Sequence, residues 1–217
     1  RKVASKDGTA LAMSLSFGSD DLQLSGTLQQ QTFKGQIKGM VGDLSALVGW
    51  ATDNPAAALP FKVVALQSGL EVSLTRGSFS NLSLALDDTT ISGTAAAQWD
   101  GAKPHLKADI DVGTLTLDRF LSPADAKPEG EKSAEGTGPD LSGLSAFNAD
   151  LTARLAGITF HNVEIGATTL RLDLQNGKMQ SSLSPASLYG GTMRGKLDLL
   201  PSARRSPPSF AAAVTLD

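Results

Sequence analysis

Apolar and polar residues alternate with a period of two along most of this 217-residue chain. One such run holds Leu70, Val72 and Leu74, and about fourteen runs of this kind follow one another. Because a strand directs successive side chains to opposite faces, each run predicts a strand with one apolar face. The connections are too short for crossover helices, which favours antiparallel pairing. We therefore predict an all-β fold: a long, twisted, curved, mostly antiparallel sheet, an open groove or half-barrel, with one or two short helices.

Helical spacing interrupts this pattern in a few places. An acidic N-cap candidate, Asp43, precedes apolar residues at i, i+3 and i+4, which predicts a short helix over residues 43–51. Weaker signals predict single turns of helix at residues 118–121 and 141–146.

Two polar segments rich in proline divide the chain. Residues 122–140 contain many charges and no large apolar side chain, which is typical of a flexible linker or a long loop. Residues 201–209 form a second insert of this kind. We predict a β repeat region over residues 1–121 and a C-terminal β region over residues 141–217 that continues the same sheet.

An eight-residue pattern occurs twice in the N-terminal region. Asp-Asp-x-x-Leu-Ser-Gly-Thr at residues 20–27 returns as Asp-Asp-x-x-Ile-Ser-Gly-Thr at residues 87–94. A match this short can arise by chance, but the strand residues before both copies also correspond. Repeated β units that cannot close a core alone are expected to stack into an extended sheet.

The composition excludes several classes of function. The net charge is −3, so the chain lacks the basic excess of a nucleic-acid binder. There is no cysteine, which excludes disulfides and thiolate catalysis, and two histidines leave little for acid–base chemistry or zinc binding. The longest apolar runs are about five residues, well below the roughly 20 that a membrane span requires.

Possible catalytic and ligand-binding motifs have structural explanations. The glycine-rich residues 190–196 lack the Ser or Thr and the helix of a phosphate-binding loop. His161 and Glu164 point to opposite faces if they share a strand, and no third metal ligand is evident. The Asp pairs of the repeat are explained by turn formation. We therefore predict no enzyme, no catalytic residue, no metal and no cofactor.

Several segments in a fixed order carry a resemblance. They are Leu-Ala-Leu-Asp-Asp-Thr-Thr-Ile-Ser-Gly-Thr at 84–94, Leu-Thr-Leu-Asp-Arg-Phe-Leu at 115–121, and Leu-Tyr-Gly-Gly-Thr-Met-Arg-Gly-Lys-Leu-Asp at 188–198. The chain resembles the AsmA family over residues 11–217. The Leu-Tyr-Gly-Gly segment with the following Gly-x-Leu-x-Leu is the most specific part.

The resemblance implies a protein of the Gram-negative envelope, related to TamB-like proteins. Such proteins are anchored in the inner membrane by an N-terminal helix and extend into the periplasm. Their apolar β-groove is thought to help phospholipid reach the outer membrane. We expect this chain to be a fragment of the periplasmic part, with phospholipid acyl chains as its ligand and envelope proteins as further partners.

Period two alone does not distinguish a lipid groove from the closed core of a sandwich. The groove interpretation predicts ten residues that face inward together: Leu15, Phe17, Leu24, Leu84, Ile91, Ile110, Leu172, Leu174, Leu197 and Leu199. The alternative is a structural or assembly module of the envelope that binds proteins and has a closed sandwich core.

Overall fold

The computed structural model describes seven stretches of the chain: residues 8–17, 20–42, 64–87, 89–120, 142–161, 163–200 and 209–217. Its strands belong to one 13-stranded sheet in which the resolved pairs are antiparallel. The strand order has two ends, β1 and β13, and does not close on itself. The predicted all-β, open, antiparallel fold is confirmed.

The described chain divides into two compact units. The first unit contains β1 to β6 and most of β7, and its strands follow one another in chain order. Their bounds are β1 Thr9–Phe17, β2 Asp20–Gln29, β3 Thr32–Val41, β4 Val64–Val72, β5 Arg76–Leu86, β6 Thr89–Gln98 and β7 His105–Thr116.

The second unit contains the two ends of β7 and all later strands. Here β8, β10, β11, β12 and β13 are neighbours in that order, and the short β9 pairs with β8. Their bounds are β8 Asn148–Phe160, β9 Val163–Ile165, β10 Thr168–Gln175, β11 Lys178–Leu188, β12 Gly191–Leu200 and β13 Ser209–Leu216.

The short helical elements in the described part of the chain are two 3-10 turns. One spans Leu117–Phe120 and the other Ser142–Ser145, close to the turns predicted at residues 118–121 and 141–146. The predicted helix at residues 43–51 and the predicted linker at residues 122–140 lie outside the described residues. Both stay predictions.

The two copies of the repeated pattern occupy similar positions in the first unit. One copy begins with the first residue of β2, and the other begins two residues before β6. Gly26 approaches β3, where an added Cβ would lie 2.5 Å from the Cα of Gly35. Gly93 approaches β7, where an added Cβ would lie 2.8 Å from the Cα of Ile110. In both copies the central glycine lets neighbouring backbones come close.

Few apolar side chains are fully buried. In the described part of the chain they are Val64, Leu86, Val112, Ala153, Leu155, Leu174, Ala186 and Leu199. Most other apolar strand residues are only half-buried. Among the described residues, therefore, the sheet has no second layer that seals its apolar side.

Candidate functional site: the apolar face

A continuous row of paired residues crosses six strands of the first unit. Register places them opposite one another in the order Leu15, Leu22, Gly39, Leu66, Leu84 and Ile91. Directly paired residues in a sheet project to the same side. Three predicted lining residues therefore share one face, which we call the apolar face of this unit.

Register relates Leu24 and the backbone position of Phe17 to this row, and Ile110 lies close to its last strand. Leu24 is two residues from Leu22 and pairs with Ile37. Ile110 lies against Gly93, which is two residues from Ile91 along β6. The backbone position of Phe17 is two residues from Leu15 and opposite Asp20.

The second unit has an apolar face of its own. Leu172 and Leu197 pair with Ser181 of β11 from its two sides. Leu174 and Leu199 flank the same strand one step further, on both sides of Met179. The four lining residues predicted for this unit therefore lie together.

The lining residues differ in exposure, and this decides which of them can touch a ligand. Leu15 is 40% exposed and Leu197 is 36% exposed. Leu24, Leu84, Ile91, Ile110 and Leu172 are half-buried. Leu174 and Leu199 are buried, at 2% and 9% exposed, so a ligand can contact little of their surface.

The opposite face of the second unit is polar and carries a shallow cavity of about 490 Å³. Asp150 and Asp173 are direct cross-strand partners there, so two carboxylates stand side by side. Arg171 lies two residues before Asp173 on β10 and pairs with Ser182 of β11. Lys196 of β12 pairs with the same serine from its other side. Alternation in the sequence does not predict this arrangement, because it depends on strand register.

The two histidines each contact an aspartate within the second unit. His105 Nε2 lies 2.8 Å from Asp150 Oδ2 on β8. The backbone N–H of His161 donates to both carboxylate oxygens of Asp118, at 3.0 and 2.9 Å. These contacts join strand and turn segments, and the described residues contain no group of three or more potential metal ligands.

The glycine-rich segment at residues 190–196 begins in a hairpin turn and continues as β12. Tyr189 and Gly190 form the connection from β11 with φ values of 50° and 82°. The neighbouring elements are thus two antiparallel strands, which is not the architecture of a phosphate-binding loop. In the described part of the chain, no helix has the length and apolar content needed to cross a bilayer.

Comparisons with known proteins give no match. No family model, no curated protein and no solved structure matches this chain.

Proposed function

We propose that this chain is a non-enzymatic lipid-handling module whose apolar face binds phospholipid acyl chains. It would help phospholipid pass between the inner and outer membranes and so support outer-membrane biogenesis. The observation that carries the proposal is the row of paired residues that crosses six strands of the first unit, in which every residue except Gly39 is a partly exposed leucine or isoleucine.

The chemistry of this face suits an acyl chain. An acyl chain offers no hydrogen bonds, and the strands already satisfy most of their backbone groups by pairing with one another. Most of the side chains that the face presents are leucine and isoleucine. Each Å² of apolar surface that a bound chain removes from water stabilises the complex by roughly 25 cal/mol.

The proposed location comes from the resemblance to the AsmA family. On that basis the chain lies in the periplasm of a Gram-negative bacterium, as part of a protein anchored in the inner membrane. Protease treatment of spheroplasts tests this directly, since a periplasmic domain becomes accessible when the outer membrane is opened. Protection of the chain until the inner membrane is lysed would contradict the proposed location.

Native mass spectrometry of the purified chain, followed by extraction of bound molecules, tests lipid binding. The informative variant is Leu197→Asp, because Leu197 is 36% exposed and its replacement leaves the buried residues in place. The matched control is Ser182→Asp, on the neighbouring strand and the opposite face. Circular dichroism and thermal unfolding confirm that both variants fold.

The proposal expects phospholipid on the unmodified chain and on Ser182→Asp, with at least about a tenfold loss on Leu197→Asp. An unmodified chain that stays free of lipid after incubation with phospholipid vesicles would contradict it. Equal lipid on both folded variants would show that lipid binds elsewhere.

One observation favours a second function, protein binding in envelope assembly. β13 pairs with β12 on one side, and no described strand lies on its other side. Thr192 and Asp217 exchange both backbone hydrogen bonds, at 2.8 and 3.0 Å. Alternation along an antiparallel pair then directs the N–H groups of Val214 and Leu216 away from β12. An added strand from a partner would bond there.

Amide hydrogen exchange distinguishes this second function from the first. A purified outer-membrane assembly protein that adds a strand would protect the amides of Val214 and Leu216 from exchange. Val214→Pro removes an outward donor and would abolish that binding, whereas Thr215→Ser keeps every backbone donor and serves as its control. Unchanged exchange at both amides would exclude strand addition by that protein.

A further inference from the structure

Two connections meet at one end of the first unit. The backbone N–H of Trp99, just after β6, donates to the carbonyl oxygen of Thr75, 2.9 Å away, between β4 and β5. The indole Nε1 of Trp99 donates to the carbonyl oxygen of Leu74 at 2.5 Å. The N–H of Ser73 donates to the carbonyl oxygen of Arg76 at 2.8 Å and closes the turn. We call Leu74 and Trp99 the Leu74–Trp99 corner.

The indole ring continues the apolar face to its end. A Cβ on Gly77 would lie 3.2 Å from Cη2 of Trp99 and 3.8 Å from Cγ2 of Val72. The ring therefore lies over Gly77 and beside Val72. These two residues pair in register, and Val72 also pairs with Phe33, so all of them belong to the row that ends the apolar face.

The corner projects apolar surface outward. Leu74 is 70% exposed and Trp99 is 42% exposed, although Leu74 lies between the end of β4 and the start of β5 and Trp99 directly follows β6. Because the indole N–H already bonds the Leu74 carbonyl oxygen, the ring can leave water without losing a hydrogen bond. Tryptophan with an apolar body and a satisfied polar edge is the residue favoured at membrane–water interfaces.

Charges of both signs surround the corner. Lys34 and Arg76 both contact Glu71, at 3.2 and 3.5 Å, and the connection that holds Trp99 also contains Asp100 and Lys103. Three cations and two carboxylates leave this end without a strong net charge. A surface of zwitterionic phospholipid suits such a corner, and anionic lipid is not required.

We propose that the Leu74–Trp99 corner inserts into a phospholipid bilayer and places the end of the apolar face at the membrane surface. This inference rests on the proposed lipid-handling function and names the end at which an acyl chain passes between bilayer and protein. A bilayer fits better than a protein partner because two side chains present a few hundred Å² at most. A stable protein interface needs about 800 Å² from each partner.

Fluorescence of Trp99 tests the insertion directly. The chain has two tryptophans, so Trp50→Phe leaves Trp99 as the sole indole. Vesicles of phosphatidylcholine with bromine on the acyl chains are added to this single-tryptophan protein. We expect a blue shift and quenching of the Trp99 emission, with little change between low and high salt because the inserting side chains, Leu74 and Trp99, are uncharged.

Vesicle binding by sedimentation gives a second readout. Leu74→Asp should weaken binding about tenfold, since it places a charge where an apolar side chain would enter the bilayer. Leu200→Asp is the matched control, because Leu200 is 46% exposed at the end of β12 in the second unit and pairs with Ser209. It should bind as the unmodified protein does.

Different outcomes separate this inference from the proposed function. If the Trp99 emission is not quenched and both Asp variants bind vesicles equally, the proposed insertion of the corner is wrong, even if the chain still co-purifies with lipid. Quenching without any extractable bound lipid supports the corner and overturns lipid handling. If a partner protein binds the chain only when Leu74 is present, and brominated vesicles do not change the Trp99 emission, the proposed insertion is also wrong.

Discussion

Ser68 donates its hydroxyl hydrogen bond to the backbone carbonyl oxygen of Ser80, 2.9 Å away on the neighbouring strand. Ser68 is 2% exposed and lies at the irregularity where the register between β4 and β5 shifts. Its hydroxyl also lies 2.9 Å from the carbonyl oxygen of Gly69. A bulge leaves backbone groups without ladder partners, and this hydroxyl supplies a partner at that point.

Ser68→Ala should therefore destabilise the chain by about 1–2 kcal/mol, because it leaves a buried carbonyl oxygen without its donor. Urea unfolding followed by circular dichroism measures the free energy of unfolding. Ser83→Ala is a suitable control, since Ser83 is exposed on β5 close to the same bulge. Equal stability of the two variants would show that the Ser68 hydrogen bond contributes nothing net.

Gly93→Ala should cost more than a glycine replacement in an open turn. Gly93 has φ of 142°, and an added Cβ would lie 2.8 Å from the Cα of Ile110. Gly190 also has positive φ, 82°, but an added Cβ there meets nothing within 4 Å. We expect a loss of about 1 kcal/mol for Gly190→Ala from backbone strain alone, and about 2–4 kcal/mol for Gly93→Ala. Thermal unfolding of the two variants compares them, and a smaller loss at Gly93 would contradict the close approach of β6 and β7.

Removing one of the paired carboxylates on the polar face should stabilise the chain. Asp150 and Asp173 are directly opposite each other on β8 and β10. Like charges in such a pair repel, so Asp173→Asn is expected to add about 0.5 kcal/mol at low salt. The gain should shrink as salt screens the repulsion. Unfolding curves at two ionic strengths measure it, and a loss of stability at low salt would show that the hydrogen bond from Gln175 Nε2 to Asp173 Oδ2, at 3.5 Å, outweighs the repulsion.

Alternation in the sequence indicates which residues of one strand share a face, because period two is a local property of every strand. It does not relate one strand to the next, and it is register that brings Leu15, Leu84 and Ile91 into one row. This row continues across β5 although the pairing of β5 contains two register shifts. Those shifts occur where β5 meets β4 and β6, and the residues used for the prediction lie on one side of them.

Features that depend on long-range pairing could not be predicted in this way. Leu74 continues the alternation of Leu70 and Val72, but β4 ends at Val72 and Leu74 lies exposed in the following connection. The contact of Trp99 with that connection joins residues 25 positions apart. The opposition of Asp150 and Asp173 likewise follows from register, which alternation within each strand does not fix.

Truncating two leucines on the apolar face of the second unit should separate the supporting residues from those that a ligand can reach. Leu174 is 2% exposed and Leu197 is 36% exposed. Leu174→Ala removes packed methyl groups and is expected to destabilise the chain by about 2–4 kcal/mol. Leu197→Ala loses only part of that burial, so about 1 kcal/mol is expected. Urea unfolding with lipid removed measures both variants. If both cost the same, the apolar face is closed around Leu197 as well, and that position is part of a core and not of a lipid-binding surface.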